Sequence, residues 1–245
     1  FNFLIKFGLE IFYSFLYALS VSILAYPSIG TPFMDHHSAI FSMMSICSVL
    51  LAILEDKKGY WFFSGILLVI SFFSKQIPSA YLIISIIPII LLNFLFLKNR
   101  KISNLFYFLL GNILSIATIF IIFLVTTTPF ENFFVQYFMY PISLGNIRIE
   151  SISFDVNNVF FQFKYIYLSF LPLFFLFFIL LAKKINNILK KNLLILLTTF
   201  LTMLIFIYCQ IITKNQILIF FLIPIYLGLS HIYIKKYLNK KIIIN

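Results

Sequence analysis

Acidic residues are scarce in this chain, with seven Asp and Glu against eighteen Lys and Arg in 245 residues. Glycine is equally scarce, at seven, which leaves little material for a loop that cradles nucleotide phosphates. No phosphate loop, dinucleotide fingerprint, Gly-x-Ser-x-Gly or His-Glu-x-x-His run occurs, so the usual motifs for nucleotide, serine-hydrolase or metalloprotease chemistry are missing. The two cysteines, Cys47 and Cys209, both sit within apolar runs; they read as buried thiols rather than as a disulfide or metal pair. Charged residues make up 10% of the chain, against about a quarter in soluble domains. A soluble globular fold is thereby excluded.

What the chain has in abundance is apolar sequence: 62% hydrophobic and 20% aromatic. Several runs reach or approach the roughly 20 residues that a helix needs to cross the hydrocarbon core. In lipid the backbone must satisfy its own hydrogen bonds, so these runs are expected to be helices. Eight spans are predicted, at about Leu9–Ala25, Ser38–Leu54, Tyr60–Phe73, Ala80–Leu97, Asn104–Val125, Tyr165–Ala182, Leu193–Ile212 and Gln216–Ile234. The fold class expected is therefore all-α, a polytopic membrane protein forming one helical domain over residues 1–245. The chain enters apolar sequence at Phe1 with no signal-peptide pattern, and we read it as an N-terminally truncated fragment.

The basic residues orient this bundle. All but Lys75, Arg148, Lys164 and Lys214 fall in alternate breaks between spans, as blocks such as Lys57-Lys58, Lys98/Arg100/Lys101, Lys183/Lys184 and Lys235/Lys236. Cytoplasmic loops are enriched in Lys and Arg, so these breaks are predicted to be cytoplasmic. The +11 charge then reflects topology and attraction to anionic lipid rather than nucleic acid. The chain is predicted to sit in the inner (plasma) membrane with its active face periplasmic or extracellular, because the candidates for chemistry occupy the opposite breaks.

Between 126 and 164 lies an outer loop too long for a simple turn. Within it, Phe133, Phe134, Tyr137 and Phe138 follow a helical spacing while Glu131, Asn132 and Gln136 can face water. An interfacial amphipathic helix is predicted there, as an aromatic anchor or as part of a binding surface.

Three clusters on this face carry candidate chemistry. Asp35-His36-His37 stands at the mouth of the second span. Asp35 or Ser38 either caps the helix, or the carboxylate and imidazoles act catalytically, with Asp35 a candidate ligand for a divalent metal ion. Consecutive helical residues point about 100° apart, so the triplet cannot form a whole metal shell. Lys75 and Gln76 follow the third span; there the ammonium either snorkels or meets a phosphate arriving in the outer leaflet. Gln210, Lys214 and Gln216 mark the last outer turn and either line a vestibule with Lys75 or form a solvated tip. Arg148, Glu150 and Asp155 in the long loop pair with each other or bind substrate.

Asp35, the basic turn Lys57-Lys58, Gly65 and Lys75-Gln76-Pro78 occur in an order that resembles the multi-pass glycosyltransferases of the GT-C type. Within that type the order is similar especially to the bacterial relatives of protein mannosyltransferases and aminoarabinose transferases, of the family 39 kind. Lys214-Asn215-Gln216 followed by Ile223-Pro224 is similar to that family's last outer turn. The resemblance implies transfer of a sugar from a polyprenyl-phosphate donor to a lipid, glycan or protein acceptor. It implies a positioning role for Asp35 and donor-phosphate contacts for Lys75, Gln76 and Lys214. It also implies that the main catalytic acid belongs to an outer loop ahead of this chain, so the fragment alone is expected to be inactive. Two other classes compete: a transporter or lipid flippase gated by the same polar cluster, and a non-catalytic envelope-assembly protein.

Overall fold

A computed structural model describes residues 1–26, 33–96, 102–126, 129–150, 155–183, 187–214 and 218–242. Its helices are α1 (Asn2–Lys6), α2 (Ile11–Ala25), α3 (Met34–Glu55), α4 (Lys58–Ser74), α5 (Gln76–Phe96), α6 (Ile102–Val125), α7 (Phe130–Phe134), α8 (Tyr140–Glu150), α9 (Lys164–Leu181), α10 (Asn187–Ile212) and α11 (Leu222–Ile242). Short π-helical turns occupy Val135–Met139 and Asn157–Phe161, and a 3-10 turn precedes α11. No strand occurs among the described residues. Among the described residues each of the eight predicted apolar runs is helical over most of its length, with Leu9, Glu10 and Leu218 among the residues outside the helices. Six of those helices are long and apolar enough to cross a membrane, while α2 (15 residues) and α4 (17 residues) are shorter. The chain is an all-helical, multi-pass membrane protein.

The helix ends differ from the hydropathy boundaries for a simple reason: apolarity stops at the headgroups, but the helical hydrogen-bond ladder does not have to. Thus α10 begins at Asn187 and carries Lys190 and Lys191 on its first turns. The Lys191 ammonium reaches back to the Leu54 carbonyl at 3.5 Å. At α5 the reverse holds. Ile77 has extended backbone (φ −104°, ψ 129°), so the regular helix starts only after it, as the proline at 78 favours.

Helices α3, α4, α5 and α6 pack as one layer sequence, and α2, α9, α10 and α11 as another, with α10 against both α3 and α5. Two small-residue seams hold α4 in the first group. Toward α3, Ser38, Ser42, Ser45 and Ser48 repeat at steps of three and four and are all buried. Ser42 and Ser71 hydroxyls lie 2.7 Å apart, Ser45 donates to the Ser64 carbonyl at 2.9 Å, and Ser48 donates to the Tyr60 carbonyl at 2.7 Å. Such bonds between helices in lipid contribute about 0.6 kcal/mol each on average. Toward α6, Gly65 and Gly111 face backbone: a Cβ on either would fall closer than 3.0 Å to the carbonyl oxygen of Phe108 or Phe62. Glycine is required there because the two backbones touch. The far side of α6 is left bare, with Ile113, Phe120, Ile121 and Leu124 more than half exposed, as befits a surface that meets lipid tails.

Candidate functional site

The serine seam fixes where α4 ends and so where Lys75 stands. Ser38 donates to the Lys75 carbonyl at 2.8 Å, its hydroxyl lies 3.1 Å from that of Ser71, and Ser71 donates to the Ser38 carbonyl at 2.7 Å. With both backbones pinned this way, the Lys75 ammonium meets the Asp35 carboxylate in an ion pair. Neither side chain is fully solvated: Lys75 is 27% and Asp35 15% exposed. Asp35 also lies in the first turn of α3, where a negative charge suits the helix end. Ser38, one of the two expected capping candidates, is instead spent on the seam.

The two histidines part company as their 100° separation predicts. His37 is exposed, whereas His36 is 4% exposed, turned inward and stacked on Phe33 with ring centroids 6.1 Å apart. Neither His36 ring nitrogen has a hydrogen-bond partner among the described residues. Asp35, His36 and His37 thus do not converge on one point, and the cation at the Asp35 carboxylate is an ammonium. Among the described residues no group of three His, Cys, Asp or Glu side chains comes together.

Beside the ion pair opens a cavity of about 460 Å³. Lys75 and Gln76 contribute its polar wall; Ile77, Tyr81, Tyr137, Tyr140 and Ile212 supply much of the rest. The helical stretch from α7 through α8 roofs it. Phe133, Tyr137 and Phe138 are half-buried there while Glu131, Asn132 and Gln136 are exposed, as the helical spacing predicts, but Phe134, expected on the same apolar face, is exposed. Tyr137 is the pin: its hydroxyl donates to the Phe72 carbonyl and the Gln76 amide donates to the Tyr137 carbonyl. Its ring stacks between Phe73 (5.7 Å) and Phe133 (5.2 Å). Burial pushes the Tyr137 hydroxyl well above its ordinary range, so it stays a neutral donor.

The remaining candidates lie elsewhere. Lys214 is exposed at the end of α10 and is not among the lining residues, although its neighbour Thr213 is. Gln216 and the side chains of Arg148 and Glu150 fall outside the described residues. Asp155 accepts from the Asn158 backbone N–H at 2.7 Å and so tethers its own turn. Tyr137 and the Ser38–Ser71 seam were missed in sequence. The four serines at helical spacing were a readable signal for the seam; no comparable signal marks Tyr137 among its aromatic neighbours. Comparison with known proteins adds no assignment: no family model, no curated protein and no solved structure matches this chain.

Proposed function

We propose that the chain belongs to a membrane glycosyltransferase of the GT-C kind, which moves a sugar from a polyprenyl-phosphate donor to a lipid, glycan or protein acceptor. The observation that carries the reading is the cavity at Lys75: Lys75, Gln76 and Thr213 on the wall of a chamber that is mostly aliphatic and aromatic. A phosphate carried on an apolar chain matches both features, since the compact ammonium pairs with the anion and the walls shelter the first part of the chain. In this reading the eight apolar helices all cross the bilayer. The cavity then opens on the face away from the lysine-rich turns, which is the periplasmic or extracellular face of the plasma membrane.

The chemistry is an inverting displacement. The acceptor hydroxyl attacks the anomeric carbon, the bond from that carbon to the phosphate oxygen breaks, and polyprenyl phosphate leaves with the electron pair. In this reading Asp35, which adjoins the cavity through its pair with Lys75 rather than lining it, is the base that takes the acceptor proton, and Lys75 neutralises charge growing on the departing phosphate. In the observed state these two side chains neutralise each other. Phosphate entry therefore has a second effect, drawing the ammonium away and leaving the carboxylate free as a base.

The test is sugar transfer from a labelled polyprenyl-phosphate donor in membranes carrying the protein in its native setting. Lys75→Ala is expected to raise the donor KM steeply, with Lys75→Arg partly restoring it, while Asp35→Ala lowers kcat. Transfer unchanged by both alanine variants, or lipid movement across liposomes with no glycosyl product, refutes the proposal.

A further inference from the structure

At the opposite end of α5 from Gln76 lies a second, smaller hollow of about 100 Å³ between α5 and α6. Most of its lining is apolar, including Ile90, Phe94 and Leu105, but two asparagines face it from different helices. Asn93 is 6% and Asn104 4% exposed, and the side-chain oxygen of each has no hydrogen-bond partner among the described residues. A buried carbonyl stripped of water and given no donor is destabilising, and native structures keep few such groups without reason. Two of them converging on one hollow, in a stretch otherwise built of Ile, Leu and Phe, call for a ligand that brings hydrogen-bond donors.

The surroundings narrow its chemistry. Asn104 stands in the first turn of α6, whose leading N–H groups lack intrahelical acceptors and whose end is electropositive. The hollow thus offers acceptors for a cation and, beside them, a place for an anion. At its rim Leu91 and Ile102 are exposed, so in a bilayer the molecules that reach it are lipids. Its volume suits three or so heavy atoms, given about 30 Å³ for a water. An aminoethyl arm has three.

We propose that this hollow binds the head group of an aminophospholipid, the primary ammonium donating to the Asn93 and Asn104 side-chain oxygens and the phosphate resting at the start of α6. A trimethylammonium head group has no N–H to donate and leaves both oxygens unsatisfied. A glycerol head group brings hydroxyls but no positive charge. The site is independent of the Lys75 cavity, and the two proposals stand or fall separately.

Native mass spectrometry of the detergent-purified, delipidated protein tests it, by titration with phosphatidylethanolamine, phosphatidylcholine and phosphatidylglycerol of matched acyl chains. The expected result is a preference for phosphatidylethanolamine of about tenfold over phosphatidylcholine, with phosphatidylglycerol also weaker. Asn93→Leu and Asn104→Leu should each bring phosphatidylethanolamine down to the phosphatidylcholine level. Without lipid both variants should melt no lower than the parent, because each removes an unsatisfied oxygen. The proposal is overturned if the parent holds the choline or glycerol lipid as well as the ethanolamine lipid. It is also overturned if either leucine variant keeps the preference. Should a variant fail to fold, the three-lipid comparison on the parent decides alone.

Discussion

Replacing Gly111 by alanine tests the packing on which Lys75 depends. The added Cβ would meet the Phe62 carbonyl oxygen closer than 3.0 Å, its carbon at 3.1 Å and the Ile66 nitrogen at 3.3 Å. All three are backbone atoms of α4, so no side chain can swing aside and the helices themselves must separate. Overpacking of this kind costs about 1–3 kcal/mol, and a purely backbone clash belongs at the upper end. Alanine recovers about 1 kcal/mol of helix propensity over glycine, which leaves a net loss of about 2 kcal/mol. Gly59→Ala is the control: it lies in α4 and nothing stands within 4 Å of its added Cβ. It should gain up to about 1 kcal/mol. The two variants should therefore differ by about 3 kcal/mol, about 6–12 °C in melting temperature for a chain of this size. A thiol-reactive fluorescent dye in detergent reads this on a Cys47→Ser background, because Cys47 is only half-buried whereas Cys209 is fully buried and labels only on unfolding. If Gly111→Ala melts at or above the parent, or together with Gly59→Ala, the close α4–α6 crossing is wrong.

Asp35→Ala and Lys75→Ala should be sub-additive in the same melting assay. The pair lies between the exposed and buried limits, so a coupling of about 1–2 kcal/mol is expected, and simple additivity argues against it. Tyr137→Phe removes the hydroxyl that holds the roof to α4, at a cost of about 1 kcal/mol; hydrogen exchange should quicken over residues 130–150, and unchanged protection counts against the pin. Glu10, which precedes α2 and accepts a hydrogen bond from Lys235, has its carboxyl held below the ordinary value of 4.5 by that bond and by the lysine's charge. Its contribution to stability is therefore present above pH 4.5 and fades as pH falls through the lowered value, so Glu10→Gln should lag the parent at neutral pH and match it in acid. A constant gap across that range refutes the pairing.

Helical class and the eight apolar runs were legible in the chain because lipid offers the backbone no alternative partner, so run length alone specifies a helix. The half-burial of Phe133, Tyr137 and Phe138 against exposed Glu131, Asn132 and Gln136 was legible from a period of 3.6, whereas Phe134, on the same predicted face, is exposed. Helix ends were less legible, since α10 continues past its apolar run to Asn187 and takes in Lys190 and Lys191, the latter donating back to the Leu54 carbonyl. Ser38 reads in sequence as an alternative to Asp35 for the helix cap, and its place on the seam is not legible there because its partner, Ser71, lies a whole helix away in sequence. His36 and His37 diverged as expected, yet nothing local foretold that His36 would be the buried one.

By itself, then, the amino-acid sequence determined what each segment must be in lipid and which turns carry the cations, because both follow from the cost of exposing peptide groups and charge to hydrocarbon. Tertiary structure alone decided that Asp35 and Lys75 touch, that Tyr137 closes a cavity over Gln76, and that Asn93 and Asn104 share a hollow. Those meetings depend on the rotation and register of one helix against another. Register is set by a few small residues, the serine seam and the Gly65–Gly111 crossing, whose effect exists only once two helices are already in contact.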